Sequence, residues 1–203
     1  MKIYYIGVRA TTILRNDPTP AVELAVEQDL SSFSRFTRQS YSEFMTMFAK
    51  TVAERTRPGV RQDIEERNNT FHCYSSTAGI AAIIISDAEY PALVAHQLLS
   101  KIVDEFTSAN PRTSYSSAVV GQIPYPQLKE YIVKYQDPNQ ADSIMKVQRE
   151  LDETKIVLHK TIESVLERGE KIDSLVQKSD GLSAQSKMFY QQAKKQNSCC
   201  VVM

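Results

Sequence analysis

The residues with the most specific chemistry stand at the end of the printed sequence, where two adjacent cysteines precede two valines and a methionine. Cys200-Val201-Val202-Met203 has the Cys-aliphatic-aliphatic-X form of a prenylation signal, in which a terminal Met favours farnesyl. Cys199, directly before it, is a candidate for reversible palmitoylation. One lipid chain gives weak, reversible membrane binding, and two give stable attachment. These residues therefore predict a chain that exchanges between cytosol and membrane through covalent lipids.

No other segment of the sequence is suited to hold the chain to a bilayer. The longest strongly apolar stretch, Gly79 to Ile85, is far too short to span about 30 Å of hydrocarbon. Met1 to Tyr5 passes straight into a strand-like pattern, so we expect no signal peptide. Cys73 lies inside a predicted strand and is interpreted as a small core residue. Cysteines in these roles suit a reducing compartment and predict no disulfide framework.

The second chemically informative residue is a charged side chain within an apolar helical repeat. The step between Val165 and Ile172 falls on Arg168, whose guanidinium always carries its charge and offers five donors. Burying an unpaired ion costs several kcal/mol, so we expect partner helices to supply acceptors around Arg168. The other positions of the repeat are Ile144, Val147, Leu151, Thr154, Leu158, Thr161, Val165, Ile172, Leu175, Ser179, Leu182, Ser186, Phe189, Ala193 and Gln196.

This repeat alternates three- and four-residue steps, which is the pattern of a left-handed coiled coil, and we call it the seam. As one continuous helix it would be about 80 Å long at 1.5 Å per residue, too long to lie on a small domain. Gly169 and Gly181 each cost roughly 1 kcal/mol against Ala in a helix interior. We therefore expect the isolated segment to be largely disordered and to fold on partner helices.

Composition divides the chain into two unlike parts. All eight prolines lie at or before Pro138, and the only aromatic residues after it are Phe189 and Tyr190. Turn-forming residues at Gln136 to Gln140 predict a linker between the parts. The predicted division is a domain at 1–137, a linker at 138–143, a coiled-coil segment at 144–196 and a lipidation tail at 197–203.

The first part has the pattern of an α+β domain with one antiparallel-type, five-stranded sheet flanked by helices. Ser40 and Glu43 have the spacing of a capping box at the start of the first helix, which Pro58-Gly59 ends. The apolar face of that helix, near Phe44, is either ordinary core or an exposed docking groove. Predicted strands are Met1 to Val8, Ala21 to Val26, Arg61 to Glu66, Thr70 to Ser75 and Ile80 to Ile85; later helices start at Pro91 and cover Tyr125 to Lys134.

Neither catalytic nor nucleic-acid-binding chemistry is indicated by the sequence. Basic and acidic side chains balance at 24 each, whereas a nucleic-acid footprint needs a strong basic patch. His72, His96 and His159 are scattered, without the local spacing of a metal site. The sequence also lacks a glycine-rich phosphate loop and a nucleophile elbow. We therefore predict a non-enzymatic protein with no metal and no cofactor other than its covalent lipids.

The heptad seam with central Val165-Leu166-Glu167-Arg168, followed by prenylatable cysteines, resembles the R-SNARE family. The stretches Leu151 to Lys155 and Lys187 to Tyr190 strengthen this resemblance. With the element order of the first part, the whole chain is similar to the lipidated synaptobrevin homologues, which carry an N-terminal longin domain of profilin-like fold. This chain has no predicted transmembrane helix, which suits only that lipidated branch.

The resemblance implies membrane fusion. Arg168 would face three glutamines in a four-helix bundle with three glutamine-SNARE helices, Cys200 would carry farnesyl, and Cys199 would carry palmitate. It also implies a longin domain that folds back on the SNARE segment, with a groove near Phe44. The implied locations are the cytosol and the cytoplasmic face of Golgi, ER, endosomal and vacuolar membranes.

Two other classes of protein remain open from the residues alone. A lipid-anchored coiled-coil tether or adaptor would be indifferent to the residue at Arg168, whereas a fusion subunit needs glutamine partners there. An acyl-transfer activity has been suggested for the family, but it requires a reactive cysteine with a lowered pKa. The sequence shows no nucleophile–base arrangement that supports it.

Overall fold

The computed structural model describes residues 1–11, 21–116, 123–137 and 155–199. The predicted roles of Cys200 and of seam residues Ile144, Val147, Leu151 and Thr154 therefore lie outside the described residues. The elements are β1 (Ile3–Ala10), β2 (Val22–Gln28), α1 (Arg38–Arg55), β3 (Arg61–Glu66), β4 (Asn69–Ser75), β5 (Ile80–Asp87), α2 (Ala92–Ala109), α3 (Arg112–Ser116), α4 (Gln127–Lys134), β6 (Ile156–His159), a 3₁₀ helix (Ile162–Val165), α5 (Ile172–Lys178) and α6 (Ala184–Cys199).

The predicted α+β class is confirmed, and all the predicted strands are present. The sheet has six strands in the order β2-β1-β5-β4-β3-β6, and the first five pair antiparallel with their neighbours. The expected count of five is therefore wrong by one, because β6 comes from the predicted coiled-coil segment and adds parallel to β3. β5 is buried along both faces, as its unbroken apolar sequence predicts.

Two apolar cores lie on opposite faces of the sheet. On one face, α2 and α4 bury residues such as Leu98, Phe106 and Leu128 against alternate positions of β1 and β5. On the other face, α1 buries Met45, Ala49 and Val52. The C-terminal segment, by which we mean residues 155–199, packs on this second face. The side of the sheet that α1 covers is therefore the side on which that segment is positioned.

A buried ion pair fixes α1 to the sheet. Arg9 on β1 is almost fully buried, and its Nη2 atom lies 2.6 Å from the Glu23 carboxylate on β2. The same nitrogen donates to the backbone carbonyl of Thr46 on α1 at 3.1 Å and to the Tyr5 hydroxyl at 3.2 Å. A buried guanidinium needs acceptors, so the bond from Nη2 to the Thr46 carbonyl ties α1 to the strands beneath it.

The predicted capping box at the start of α1 is wrong. The helix begins two residues earlier than Ser40, its N-cap is Thr37, and no side chain caps it. Ser40 and Glu43 instead bond to the C-terminal segment, through Ser186 and Ser183. Their spacing of three residues places both on one face of the helix, and that face is covered.

Gln136, the first of the turn-forming residues that predict a linker, makes contacts with the domain, whereas the predicted linker at 138–143 lies outside the described residues. Gln136 is held against β1, where its Oε1 accepts from the N–H of Ile3 at 3.1 Å and its Nε2 donates to the carbonyl of Ile3 at 2.8 Å. An amide side chain that makes both bonds pairs with the backbone of Ile3, at the start of β1, as a residue of a neighbouring strand would. Turn composition alone could not reveal this long-range pairing.

The expectation that the histidines are scattered is wrong for two of them. His72 on β4 and His96 on α2 converge on Asp63 of β3, and each places a ring nitrogen 2.7 Å from the same carboxylate oxygen. All three side chains are buried. Because one oxygen accepts from both imidazoles, the geometry is that of a hydrogen-bonded network that ties α2 to the sheet.

The network shifts two pKa values. Burial alone would raise the pKa of Asp63, but the hydrogen bonds from His72 and His96 outweigh it and lower that pKa to about 2. Burial lowers the pKa of His96, and its hydrogen bond to Asp63 opposes that effect without reversing it. His96 therefore takes up a proton less readily in the folded chain than in the unfolded chain.

We predict that His96 makes folding less stable in mild acid. The pKa of His96 in the folded chain lies below its ordinary value of 6.5. The stability that neutral His96 contributes is therefore fully present above pH 6.5, and it is lost as the pH falls through the folded pKa. Replacing His96 by Gln, which keeps a donor but cannot titrate, should flatten the fall in unfolding free energy between about pH 7 and pH 5. Urea denaturation at stepped pH measures this slope. Equal slopes for parent and variant would contradict it.

Candidate partner-binding site

The first element of the C-terminal segment, β6, is a strand in the sheet of the domain. Ile156, Val157 and Leu158 of β6 lie opposite Arg61, Gln62 and Asp63 of β3, in parallel register. β-Branched residues favour the extended conformation, which explains why this part of the segment is a strand. The same residues belong to the predicted coiled coil, where they would be helical. Residues 156–159 therefore adopt a conformation that is incompatible with a coiled coil.

A 3₁₀ turn then buries an isoleucine against α1 and the sheet. Ile162 is fully buried among residues of α1, β3 and β5. Its N–H donates to the Glu66 carboxylate at 3.1 Å, at the end of β3. Val165 and Leu166 pack beside it and are half-buried. Ile162 is not a seam residue, so the domain buries a different side chain of this stretch from those that a coiled coil would bury.

The turn that contains Arg168 is held by its neighbours. Arg55, at the end of α1, places its two terminal nitrogens 2.7 Å from the Glu167 carboxylate and 3.0 Å from the Glu170 carboxylate. Arg168 itself is exposed, and Gly169 has a φ of +89°, which L side chains rarely adopt. In this chain Arg168, the residue predicted for the ionic layer, therefore lies in an exposed turn. The glutamates on either side of it, Glu167 and Glu170, form the ion pairs with Arg55, which we call the Arg55 clasp.

An apolar cluster between α1 and the last two helices forms the middle of the site. Met47, Val176 and Leu182 are buried together. Phe44 is half-buried at the rim of this cluster, where its ring lies 6.0 Å from that of Tyr190. The predicted groove near Phe44 is therefore occupied by the chain's own C-terminal segment, and Met47 lies deeper in it than Phe44 does.

Polar contacts fix the position of α6 along α1. The Glu43 carboxylate accepts from the N–H of Ser183 at 2.8 Å, and the hydroxyls of Ser186 and Ser40 lie 3.1 Å apart in a buried site. Burial would raise the pKa of Glu43, but the hydrogen bonds from Ser183, Ser186 and Gln39 outweigh it and lower that pKa. A carboxylate at the start of α6 also satisfies N–H groups that have no partner inside the helix.

Aromatic and charged residues complete the packing of α6. The Phe189 ring lies 5.8 Å from that of Tyr41 on α1. The Tyr190 hydroxyl donates to the Asp173 carboxylate of α5 at 2.9 Å, and Lys194 pairs with the same carboxylate. The two helices of the segment are therefore linked to each other as well as to α1.

The seam residues differ widely in how far the domain covers them. The continuous helix is predicted only for the segment with partner helices; within this chain, residues 155–199 are divided among β6, the 3₁₀ helix, α5 and α6, because the domain surface offers the same apolar side chains another place to be buried. Leu182 and Ser186 are buried; Val165, Ile172, Leu175, Ser179, Phe189 and Ala193 are half-buried; Leu158, Thr161 and Arg168 are exposed, and the side chain of Gln196 is not described. Disorder of the isolated segment stays a prediction.

Several contact residues were not identified from the sequence. Met47 on α1 and Val176 on α5 are not seam positions, so the heptad pattern does not identify them. The spacing of Met47 from Phe44 and Thr51 does place it on the same face of α1 as those residues. Arg55 had no local signal, because its partners are more than a hundred residues away. Spacing within the chain reports which residues share a face, but not what covers that face.

The buried thiol in the domain is not suited to acyl transfer. Cys73 is fully enclosed, and burial raises its pKa to about 12, although a hydrogen bond with the Thr56 hydroxyl at 3.2 Å lowers it slightly. A nucleophilic cysteine needs a lowered pKa and access to substrate. None of the helices in the described parts of the chain is both long and apolar enough to cross a membrane.

Comparison with known proteins agrees with this architecture over the whole chain. Residues 30–132 match the longin profile, described as a regulated-SNARE-like domain, and residues 143–201 match the synaptobrevin profile. The chain is 58% identical over 202 residues to the synaptobrevin homologue ykt6 of Schizosaccharomyces pombe. It is 56% and 54% identical over 205 residues to the YKT6 proteins of Debaryomyces hansenii and Saccharomyces cerevisiae. Each alignment covers 100% of both chains.

The sheet with α1 on one face and a C-terminal segment docked against it defines a longin domain joined to a SNARE segment. SNAREs are a non-enzymatic class of protein that interact with other SNAREs. The chain belongs to the synaptobrevin family, among the full-length homologues that carry a longin domain, and it is an R-SNARE with a role in vesicle fusion.

We predict that the Arg55 clasp limits local opening around Arg168. Replacing Arg55 by Ala should speed amide exchange of residues 167–171 about two- to fivefold, since an exposed ion pair contributes about 0.2–1 kcal/mol. Hydrogen exchange read by mass spectrometry measures this. Arg57→Ala, an exposed neighbour for which the structure gives no ion pair, should leave the exchange unchanged. Equal exchange in Arg55→Ala and the parent would show that the clasp has no role.

Proposed function

We propose that the described conformation is the autoinhibited state of this R-SNARE, in which the longin domain occupies the seam and blocks assembly with partners. The observation that carries this proposal is that Leu182 and Ser186 are buried against α1. A side chain packed there cannot at the same time face the interior of a helical bundle. Opening must therefore precede or accompany complete assembly.

In the assembled state, three glutamine-SNARE helices replace the domain as the surface that covers the seam. Arg168 then leaves its exposed turn and enters the bundle, where its five donors need side-chain acceptors. Glutamine side chains from three partners supply amide oxygens in one layer. This role for Arg168 favours a fusion subunit over a tether, because a tether gains nothing from a buried guanidinium.

The closed state is suited to reversible release. Complete burial of Ile162, Val176 or Leu182 is worth about 1.5–3 kcal/mol each, while ordering a residue costs about 1–2 kcal/mol of backbone entropy. Gains and costs of this size leave a small net free energy. A partner bundle that buries the whole seam can then outcompete the domain.

Membrane attachment in this proposal comes from covalent lipids. Farnesyl on Cys200 gives weak binding and palmitate on Cys199 retains the chain, which allows exchange between cytosol and the cytoplasmic faces of Golgi, ER, endosomal and vacuolar membranes. The alignments with the fungal homologues run through this tail, since they cover 100% of each chain. The closed state and the lipids then act together, because a released seam is useful only at a membrane.

The decisive experiment locks the closed state covalently. The Ser40 and Ser186 hydroxyls are 3.1 Å apart, so cysteines at both positions can form a disulfide after a small adjustment. In a background where Cys199 and Cys200 are serine, the oxidised form should fail to assemble with glutamine SNAREs into a denaturant-resistant complex. Reduction should restore assembly.

Two controls make this test specific. Each single cysteine variant should assemble with or without oxidant. Arg168→Ala should weaken the assembled complex without changing the oxidised closed form, because Arg168 is exposed there. Full assembly of the oxidised double variant would overturn autoinhibition, and a complex unaffected by Arg168→Ala would count against the proposed polar layer.

We predict that Gly169→Ala opens the molecule. A methyl group at this position meets no atom within 4 Å, so the effect is confined to the backbone. The left-handed conformation costs about 1–2 kcal/mol for a non-glycine residue, and Ala gains roughly 1 kcal/mol in a helix. The balance should move by about 2 kcal/mol toward the helical state, a factor of roughly thirty in the rate or extent of assembly.

Gly181→Ala is the matched control for this prediction. Gly181 does not have a positive φ, so alanine there should favour the helix without straining the closed state. Assembly kinetics with glutamine SNAREs and the hydrodynamic radius of the free chain give the two readouts. Equal effects of the two substitutions would show that the turn at Gly169 does not hold the closed state.

We predict a graded loss of membrane attachment when the cysteines are changed. Cys200→Ser should release the chain entirely, because the prenyl chain is the first anchor. Cys199→Ser should leave weak, reversible binding of the kind a single lipid gives. Fractionation of cells expressing each variant measures this, and mass spectrometry of the C-terminal peptide identifies the lipids. Unchanged fractionation of Cys200→Ser would refute the prenyl anchor.

A further inference from the structure

The most exposed large apolar side chain among the described residues lies in the connection between β2 and α1. Phe36 is 88% exposed, whereas Val133, the next, is 71% exposed on α4. An aromatic ring left in water gains free energy from any surface that covers it.

The loop that carries Phe36 is held by its own hydrogen bonds. The N–H of Phe36 donates to the Ser34 hydroxyl at 3.3 Å, and the N–H groups of Thr37 and Arg38 donate to the Ser34 carbonyl at 3.0 and 2.9 Å. The Arg38 guanidinium donates to the carbonyl of Phe33 at 3.1 Å. The exposure of Phe36 is therefore built into a fixed loop.

A second phenyl ring anchors this loop to the domain. Phe33 lies between Tyr4 and Tyr41, with ring centroids 5.3 and 4.1 Å away. Tyr41 in turn contacts Phe189 of α6. Phe33 therefore packs with the aromatic residues that contact the docked segment, whereas Phe36, three residues later, is exposed to solvent.

The Phe36 loop itself is positively charged, although the chain as a whole is neutral and Asp29 and Glu43 lie just beyond the two ends of the loop. Residues 30–42 contain two arginines, Arg35 and Arg38, and no acidic residue. Both arginines are exposed. Lys2 also reaches this loop, where its Nζ lies 3.0 Å from the Ser31 hydroxyl. The nearby Asp29 carboxylate is partly neutralised by Lys2 at 3.5 Å.

We infer that the Phe36 loop is a contact site for anionic lipid surfaces, independent of the lipidated cysteines. The ring enters the boundary between headgroups and acyl chains, while Arg35 and Arg38 lie among lipid phosphates. A protein partner of ordinary size would need an extended apolar patch. A single exposed ring beside two exposed arginines is instead an arrangement that suits an anionic membrane interface.

This contact would orient the longin domain on the bilayer. The loop leads directly into α1, the helix that carries the docked C-terminal segment. Lipid anchors and the loop bind one surface from two points of one molecule, so even a weak loop contact adds to retention through its high effective concentration.

Tryptophan fluorescence tests the inference without the lipid anchors. The chain contains no tryptophan, so Phe36→Trp introduces a single reporter in a background where Cys199 and Cys200 are serine. Its emission should shift to shorter wavelength with phosphatidylserine-containing vesicles and not with phosphatidylcholine vesicles. Val133→Trp, on the opposite face of the sheet, should not shift. An unshifted Phe36→Trp, or an equal shift of Val133→Trp, would overturn the inference.

Vesicle sedimentation gives the second measurement in the same background. Arg35→Gln should lower the bound-to-free ratio about fivefold, as expected for one basic residue near an anionic surface, and added salt should reduce the difference. Phe36→Ala should lower it by a comparable factor. Val133→Ala and Lys134→Gln, the matched controls on α4, should bind like the parent. Loss of binding in the controls as well, or in none of the variants, would show that the loop is not the contact site.

Discussion

The apolar side chains of the C-terminal segment can be buried in only one place at a time. On the longin domain they are covered by α1 and by the edge of β3, with Val176 and Leu182 enclosed beside Met47. In a helical bundle they would be covered by other chains. Because hydrophobic burial is the main favourable term in both states, neither state can gain without the other losing. In the proposed closed state, the surface of α1 would therefore compete with the partner helices.

The domain is constructed so that this surface is stiff. Arg9 and Glu23 hold the middle of α1 through Thr46, and the next residue, Met47, forms the floor of the docking cluster. On the other face of the sheet, Asp63 with two histidines ties α2 to β3, the strand that receives β6. Both faces of the sheet therefore have buried polar contacts near the points where the segment attaches.

The sequence predicts the domain well because its strands and helices have strong local patterns, such as the unbroken apolar run of β5. A heptad with one arginine is also a local pattern, and the role it predicts for Arg168 in an ionic layer stays a prediction, since Arg168 is exposed in this chain. What the sequence misses is long-range. The bonds from Ser40 and Glu43 to α6, from Arg55 to two glutamates and from Gln136 to Ile3 join residues far apart in the chain. The seam residues can pack either on the longin domain or on partner helices, and their spacing does not indicate which of the two covers them.

The parallel pairing of β6 with β3 has a cost that appears only when the segment leaves. If the segment left the domain, β3 would lose its pairing with β6 and become an edge strand with a row of unpaired N–H and C=O groups. Such an edge recruits any extended peptide within reach, including the same strand of another copy, and so promotes aggregation. If the molecule opens as proposed, the exposed edge of β3 would therefore favour prompt capture of the released segment by partner helices over a long-lived open form.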